Sequence, residues 1–221
     1  MIVWICSYPR SGNTLTRIIL KRCFGAGSYA VYNSDRPGKL AEFTGHRQFD
    51  GTVAQLQTAA RADSRPWFIK THGTDVPDGE RALYVVRDAR AAMASYRRFR
   101  SRSVRCELPL EDFVLGRPPL PSWSEHVAWA QARDPQTTLI LRFEDLTDPS
   151  NEVLERLSAF IGLPVLGRLD VGFEALHAVN PELYGVGRND SGIAEVEAAC
   201  SALFWKTHGE AMRALGYGEA P

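Results

Sequence analysis

Residues 7–14 read Ser-Tyr-Pro-Arg-Ser-Gly-Asn-Thr and follow an apolar run, residues 2–6, that stops at Ser7. After them Leu15, Ile18, Ile19 and Cys23 recur at helical spacing. Hydroxyls, an amide, an arginine and a glycine between a buried strand and a helix start are the ingredients of an anion site. A helix N-terminus offers unpaired N–H groups, and open α/β sheets bind ligands at the carboxyl ends of their strands. Arg10, Ser11, Gly12, Asn13 and Thr14 are therefore candidate anion contacts. A second arginine, Arg87, follows the apolar run 82–86. Its planar fork suits a phosphate, the alternative being an ion pair with Asp88 or another acid. Lys70 and His72 close a third run that begins at Trp67. An unperturbed imidazole titrates at about 6.5, so His72 fits a base that works near neutrality.

Two familiar phosphate chemistries fail on residue type. Against the nucleotide-binding pattern G-x-x-x-x-G-K-[ST], Gly12 and Thr14 match, but Ser7 stands at the first glycine and Asn13 at the lysine that grips the β- and γ-phosphates. A metal–nucleotide enzyme also needs an aspartate at a strand end to hold Mg²⁺, and the run 82–86 ends in Arg87 instead. A cysteine-phosphatase loop starting from Cys6 would need an arginine where Gly12 stands. Lys-Thr-His-Gly occurs twice, at 70–73 and 206–209. The second copy lies inside a helical pattern with Phe204, Trp205, Met212 and Leu215, so His208 is expected on a helix surface. His126, in Trp-Ser-Glu-His-Val-Ala-Trp-Ala, reads as an ordinary helix residue, and His46 sits in a polar loop.

The elements that must position these groups alternate. Runs 2–6, 67–70, 82–86 and 138–143 read as buried strands, and 89–99, 122–133, 150–161 and 193–215 read as helices. That alternation predicts an α/β fold, a parallel sheet flanked by helices on both faces. Two long polar connections, 29–65 and 101–121, are candidate substrate loops. Arg97, Arg98, Arg100, Arg102 and Arg105 read as a solvated helix end, the alternative being a cationic rim that steers anions. The chain has 221 residues, which a single domain spanning 1–221 accommodates, and its net charge of zero speaks against a nucleic-acid partner. Four scattered cysteines fit neither a disulfide frame nor a zinc site. With no signal-like leader and no apolar run of membrane-spanning length, a cytoplasmic protein without integral membrane contact is expected.

Five segments in order then carry a resemblance. Residues 7–17, Ser-Tyr-Pro-Arg-Ser-Gly-Asn-Thr-Leu-Thr-Arg, resemble the 5′-phosphosulfate loop of sulfotransferases that use 3′-phosphoadenosine 5′-phosphosulfate (PAPS), typically T-Y-P-K-S-G-T-T-W. Residues 83–99 resemble the family's 3′-phosphate motif, an arginine after a strand and a serine eight residues later, here Arg87 and Ser95. Segments 68–73, 122–130 and 141–146 match further family segments, so the resemblance runs over residues 2–161. It implies the P-loop NTPase-like sulfotransferase architecture, PAPS as co-substrate with 3′-phosphoadenosine 5′-phosphate (PAP) as product, and no metal. It implies sulfuryl transfer by in-line displacement to the hydroxyl, or amine, of a small-molecule acceptor. The same resemblance assigns His72 as base, Lys70 beside the sulfuryl group and Arg10 where many members carry lysine. Ser11–Thr14 would wrap the 5′-phosphate, with Arg87 and Ser95 on the 3′-phosphate. Leu15 stands at the family's adenine-stacking tryptophan. The late R-K-G-x-x-G segment is matched only by residues 186–192, which makes Arg188 a further candidate. A small-molecule or nucleotide kinase and a silent nucleotide-binding module are the alternatives.

Overall fold

Strand β1 (Ile2–Ser7) is buried over all six residues, as expected of a strand with neighbours on both edges and helices on both faces. In the computed structural model, which describes residues 1–31, 39–117, 119–172, 174, 177–178 and 192–218, β1 is the middle of a five-stranded sheet. The order is β2 (Ser28–Ala30), β3 (Trp67–Thr71), β1, β4 (Arg81–Val86), β5 (Thr138–Arg142), and every described pairing is parallel. Cys6 pairs with Thr71 on one side and with Tyr84 on the other. This register lines up the carboxyl ends of β1, β3 and β4, so the three candidate clusters of the sequence meet at one edge of the sheet.

Alternation along β1 divides the core. Ile2, Trp4 and Cys6 belong to one apolar cluster, and Val3 and Ile5 to the other, the period of two that places successive side chains on opposite faces. The first face is covered by α3 (Val53–Ala62), α4 (Ala89–Val104), α5 (Leu110–Leu115), α6 (Trp123–Gln131) and α9 (Ile193–Ala214). The second is covered by α1 (Asn13–Phe24) and α8 (Asn151–Ile161). Two short helices, α2 (Lys39–Thr44) and α7 (Phe143–Leu146), complete the described set. Helix ends follow local chemistry. Thr52 and Gln55 form a capping box on α3, Ser150 accepts the Val153 N–H at 3.3 Å, and α1 stops at Gly25, whose φ of +66° suits a residue without a side chain.

Three expectations shift. Helix α4 continues five residues past Phe99, because arginine is a good helix former, and it stops only at Arg105 with φ +54°. The segment 29–65 holds an edge strand and two helices, too short or too polar to stand out as periodic runs. His208 is not on a helix surface: it is 0% exposed, with Nε2 donating to the Val114 carbonyl (2.7 Å) and Nδ1 against the Ser124 hydroxyl (2.6 Å). Both ring nitrogens are satisfied, which is what lets a polar ring sit in the core.

The start of α4 is tied to the end of the chain by a buried ion network. Asp88 caps the helix through the Arg90 N–H (2.9 Å), and the Arg90 guanidinium bonds Asp88 (2.7 Å), Glu197 (2.6 Å) and the Gly218 carbonyl (3.0 Å). It also lies over Trp205 at 5.1 Å from the ring centroid. Arg90→Leu would strand two carboxylates, one of them buried, and is expected to lower stability by about 3 kcal/mol in urea unfolding.

Candidate functional site

The loop from β1 to α1 is a tight turn built for backbone rather than side-chain contacts. The Ser11 N–H returns to the Tyr8 carbonyl (3.2 Å), Arg10 has φ +68° and Gly12 has φ +112°. A Cβ at Gly12 would lie 2.5 Å from Phe143 Cδ2, so both the dihedral and the close approach require glycine. Thr16 then donates its N–H (3.0 Å) and its hydroxyl (3.1 Å) to the Gly12 carbonyl, starting the helix. Asn13 turns inward: its Nδ2 donates to the carbonyls of Ile5 (2.9 Å) and Thr71 (3.2 Å) and staples the ends of β1 and β3 together. Its amide nitrogen is committed to the sheet, and the residue faces the loop through its main-chain N–H. The Ser11 hydroxyl is buried with no hydrogen-bond partner among the described residues. Leu15 is 4% exposed and belongs to the apolar core of the second face.

Arg87 leaves the end of β4 and reaches the same loop. Its Nη1 donates to the Arg10 carbonyl (3.3 Å), and its guanidinium lies 4.2 Å from the Phe143 ring centroid. Asp88 is engaged by Arg90, so it is not the partner of Arg87. Burial pulls the Arg87 pKa down to about 10; Glu144 opposes that shift and Arg10 adds to it. The group therefore stays cationic at neutral pH. Its Nε is buried with no hydrogen-bond partner among the described residues. Arg10 extends to α4, where its Nε donates to Ser95 Oγ at 3.2 Å and its guanidinium lies 5.5 Å from the Phe99 ring centroid. The eight-residue spacing of Arg87 and Ser95 thus brings both to Arg10: one holds its carbonyl, the other its side chain.

His72 stands at the neighbouring strand end, just past β3. Its Nδ1 is 2.9 Å from the Ser7 carbonyl oxygen and 3.4 Å from the Ser7 hydroxyl. A carbonyl oxygen only accepts, so Nδ1 carries the proton and Nε2 is the basic nitrogen of the neutral ring. Lys70 is half-buried on β3, level with Ile5 of β1. Arg188 lies outside the described residues. The sequence reading did not single out the Asn13 staple, the Phe143 platform or His126, which is 3% exposed and contacts the His72 backbone. His126 had a signal: with Trp123, Val127 and Ala130 it occupies one face of α6 at spacings of three, four and seven, and that face is buried. Among the described residues no group of His, Cys, Asp or Glu side chains is arranged to hold a metal ion, and no helix is long and apolar enough to cross a membrane.

A family model for the sulfotransferase domain matches residues 2–171. Among relatives, a cytosolic sulfotransferase 1 from Danio rerio is 23% identical over 176 residues, covering 73% of this chain and 59% of the relative. A 3-alpha-hydroxysteroid sulfotransferase from Cavia porcellus is 30% identical over 143 residues, 51% of this chain and 50% of the relative. The matches thus span little more than half the length of those relatives. Solved structures share the fold. A mouse sulfotransferase, SULT7A1, complexed with PAP superposes with a TM-score of 0.62 at 17% identity, covering 99% of this chain and 89% of that one. Retinol dehydratase in complex with androsterone and inactive cofactor PAP gives 0.64 at 17% identity, with 100% and 82% covered. The sulfotransferase domain from the curacin biosynthetic pathway gives 0.58 at 16% identity, with 100% and 98% covered. The matched span contains the β1–α1 loop, the Lys-Thr-His-Gly turn after β3 and the Arg87–Ser95 unit, and on that match the chain belongs to the sulfotransferase family.

Proposed function

We propose that this protein moves a sulfuryl group from PAPS to the hydroxyl, or amine, of a small-molecule acceptor. The observation that carries the reading is the convergence of Arg87 and Arg10 on one glycine-turned loop, with a buried Arg87 donor that has no protein acceptor among the described residues. A dianionic nucleotide end supplies such an acceptor. The solved relatives named above as PAP complexes support the same ligand class.

When bound, PAPS supplies an activated sulfuryl group on a phosphate that leaves readily. The main-chain N–H groups of Gly12 to Thr14, at the positive end of α1, bind the 5′-phosphate with the Ser11 and Thr14 hydroxyls, the Ser11 N–H being held by the Tyr8 carbonyl. Arg87 and Ser95 bind the 3′-phosphate, as the family resemblance assigns them. The resemblance gives Arg10 to the negative charge that develops on the bridging oxygen, a role for which its side chain must leave the Ser95 contact it makes here. A permanently protonated guanidinium stabilises that charge without giving up a proton. Lys70 lies beside the transferred group. His72 takes the acceptor proton on Nε2, with Nδ1–H held by Ser7, so the resulting imidazolium is stabilised by a carbonyl already in place. The relative named for 3-alpha-hydroxysteroids and the androsterone in the retinol dehydratase complex support a hydroxyl-bearing acceptor.

Calorimetric titration with PAP, 5′-AMP and ATP·Mg²⁺ tests the donor site. Metal-free PAP is expected to bind tightest, and Arg87→Ala to weaken it by about 10- to 100-fold through loss of charge-assisted hydrogen bonds. Preference for ATP·Mg²⁺, or indifference to the 3′-phosphate, would favour a kinase instead. For the base, His72→Ala is expected to cut turnover of radiolabelled PAPS by about 100- to 10,000-fold while PAP affinity stays unchanged. In the wild type kcat/KM should rise with pH on the acid side, because the imidazole must be neutral to accept a proton.

A further inference from the structure

We infer that His126 is a positioning residue for His72, holding the catalytic imidazole through the backbone carbonyl of His72 itself; this rests on the base role proposed above. His72 is held both at its ring and at its backbone. Its ring is bonded to the Ser7 carbonyl from β1 (2.9 Å), and its main-chain oxygen lies 3.1 Å from His126 Nε2 on α6. That oxygen can only accept, so His126 carries its proton on Nε2. The remaining nitrogen, Nδ1, is then an acceptor, and it lies 3.0 Å from the hydroxyl of Tyr84 on β4. The direction of every proton follows: Tyr84 O–H to His126 Nδ1, and His126 Nε2–H to the His72 carbonyl.

The relay is buried and rigid. Tyr84 and His126 are almost wholly removed from solvent, and the His126 ring is held edge-on by Tyr8 (6.2 Å) and Trp129 (6.0 Å). Burial pushes the His126 imidazole down and the Tyr84 phenol up, so both stay neutral at physiological pH and the relay keeps its direction. The segment it fixes is anchored at its far end, where Arg133 donates to the carbonyls of Val76 (3.0 Å), Pro77 (3.3 Å) and Glu80 (2.9 Å), so the His126 bond acts on its near end. Between the end of β3 at Thr71 and the start of β4 at Arg81 there is no helix or strand, and the turn is closed locally by the Gly73 N–H on Thr71 Oγ1 (2.9 Å). Orienting the His72 carbonyl orients the peptide that carries the imidazole, and with it the nitrogen offered to the acceptor. His208 supplies the contrast. It is buried with both nitrogens bonded, but its carbonyl partner is Val114 at the end of α5, so it should matter to stability alone.

The test reads the His72 tautomer directly by nitrogen–proton correlation spectra of the imidazoles, together with PAP calorimetry and single turnover of radiolabelled PAPS. The wild type should show His72 as one Nδ1–H tautomer. In His126→Phe the His72 signals should move toward a tautomer mixture and turnover should fall about 10- to 100-fold, the cost of a slight misplacement, with PAP affinity unchanged. His126→Gln, whose amide N–H can replace the Nε2–H donor, should restore most of both. His208→Phe, the matched core control, should lose stability without moving the His72 signals. If His126→Phe does not fold, Tyr84→Phe carries the test, since it removes the donor that orients His126 and should shift His72 the same way. An unchanged His72 tautomer and unchanged turnover in a folded His126→Phe, or a Gln variant no better than Phe, would overturn the inference. His72→Ala at wild-type turnover would instead remove the base role beneath it. An inactive His72→Ala beside a normal His126→Phe would leave that role standing and defeat the positioning alone.

Discussion

A desolvated, partly buried arginine beside a second arginine is the constraint that the rest of this structure serves. Arg87 loses hydration on entering the site, and Arg10 next to it disfavours its charge further, while Glu144 offsets part of both. Among the described residues the group meets the face of Phe143, one carbonyl and the more distant charges of Glu144 and Asp88. None matches a fully hydrated guanidinium. Asp88, the adjacent carboxylate in sequence, favours the Arg87 cation only through space, because its oxygens are bonded to Arg90, and Glu197 joins that network. A cation so placed gains from a dianionic ligand, as the proposed function requires. The same network docks α9 onto the start of α4, so the helix that carries Ser95 is fixed before any ligand arrives.

Backbone geometry turns that charge into a site of definite shape. The parallel register brings Ser7, Thr71 and Val86 to a common edge, and Asn13 closes two of those strand ends from below. Gly12 then lets the loop pass over Phe143 at a distance no side chain would permit. Phe143 therefore acts twice, as the wall against which Gly12 turns and as the surface under the Arg87 guanidinium. A larger residue at Gly12 or a smaller one at Phe143 would disturb the loop and the arginine together.

The sheet, the loop and the place of Arg87 were legible in the sequence because each rests on a local signal: an apolar run, a turn residue, a cation at a strand end. Ser95 entered only through the family resemblance. Contacts that depend on tertiary burial were not. Strand β2 has three residues and takes its identity from its neighbour β3, not from its own pattern. His208 looked exposed because Lys206, Thr207 and Glu210 surround it in sequence, yet its own face of α9 turns inward beside Phe204 and Met212. His126 sits on a face whose periodicity was readable, but its bond to the His72 carbonyl joins residues 54 apart. Asn13 was read as the absence of a lysine and as a candidate anion contact, whereas its amide nitrogen ties carbonyls of β1 and β3.

That exchange of roles at position 13 explains much of the chemistry. In the nucleotide-binding pattern the residue before the helix hydroxyl is a lysine that extends to the phosphates. Here Asn13 points back into the sheet, so cationic charge at the loop comes from either side of it: Arg10 from within the turn and Arg87 from the next strand. A lysine is a mobile point charge on a flexible stem, while two guanidiniums held by Ser95, Phe99 and Phe143 are directional forks fixed before binding. A fixed fork favours a ligand whose anionic groups are set apart at a constant distance, as the two phosphate positions of PAPS are. It favours less a flexible polyphosphate chain gathered around one cation. The proposed preference for PAPS over a polyphosphate nucleotide then follows from where the amide of Asn13 points.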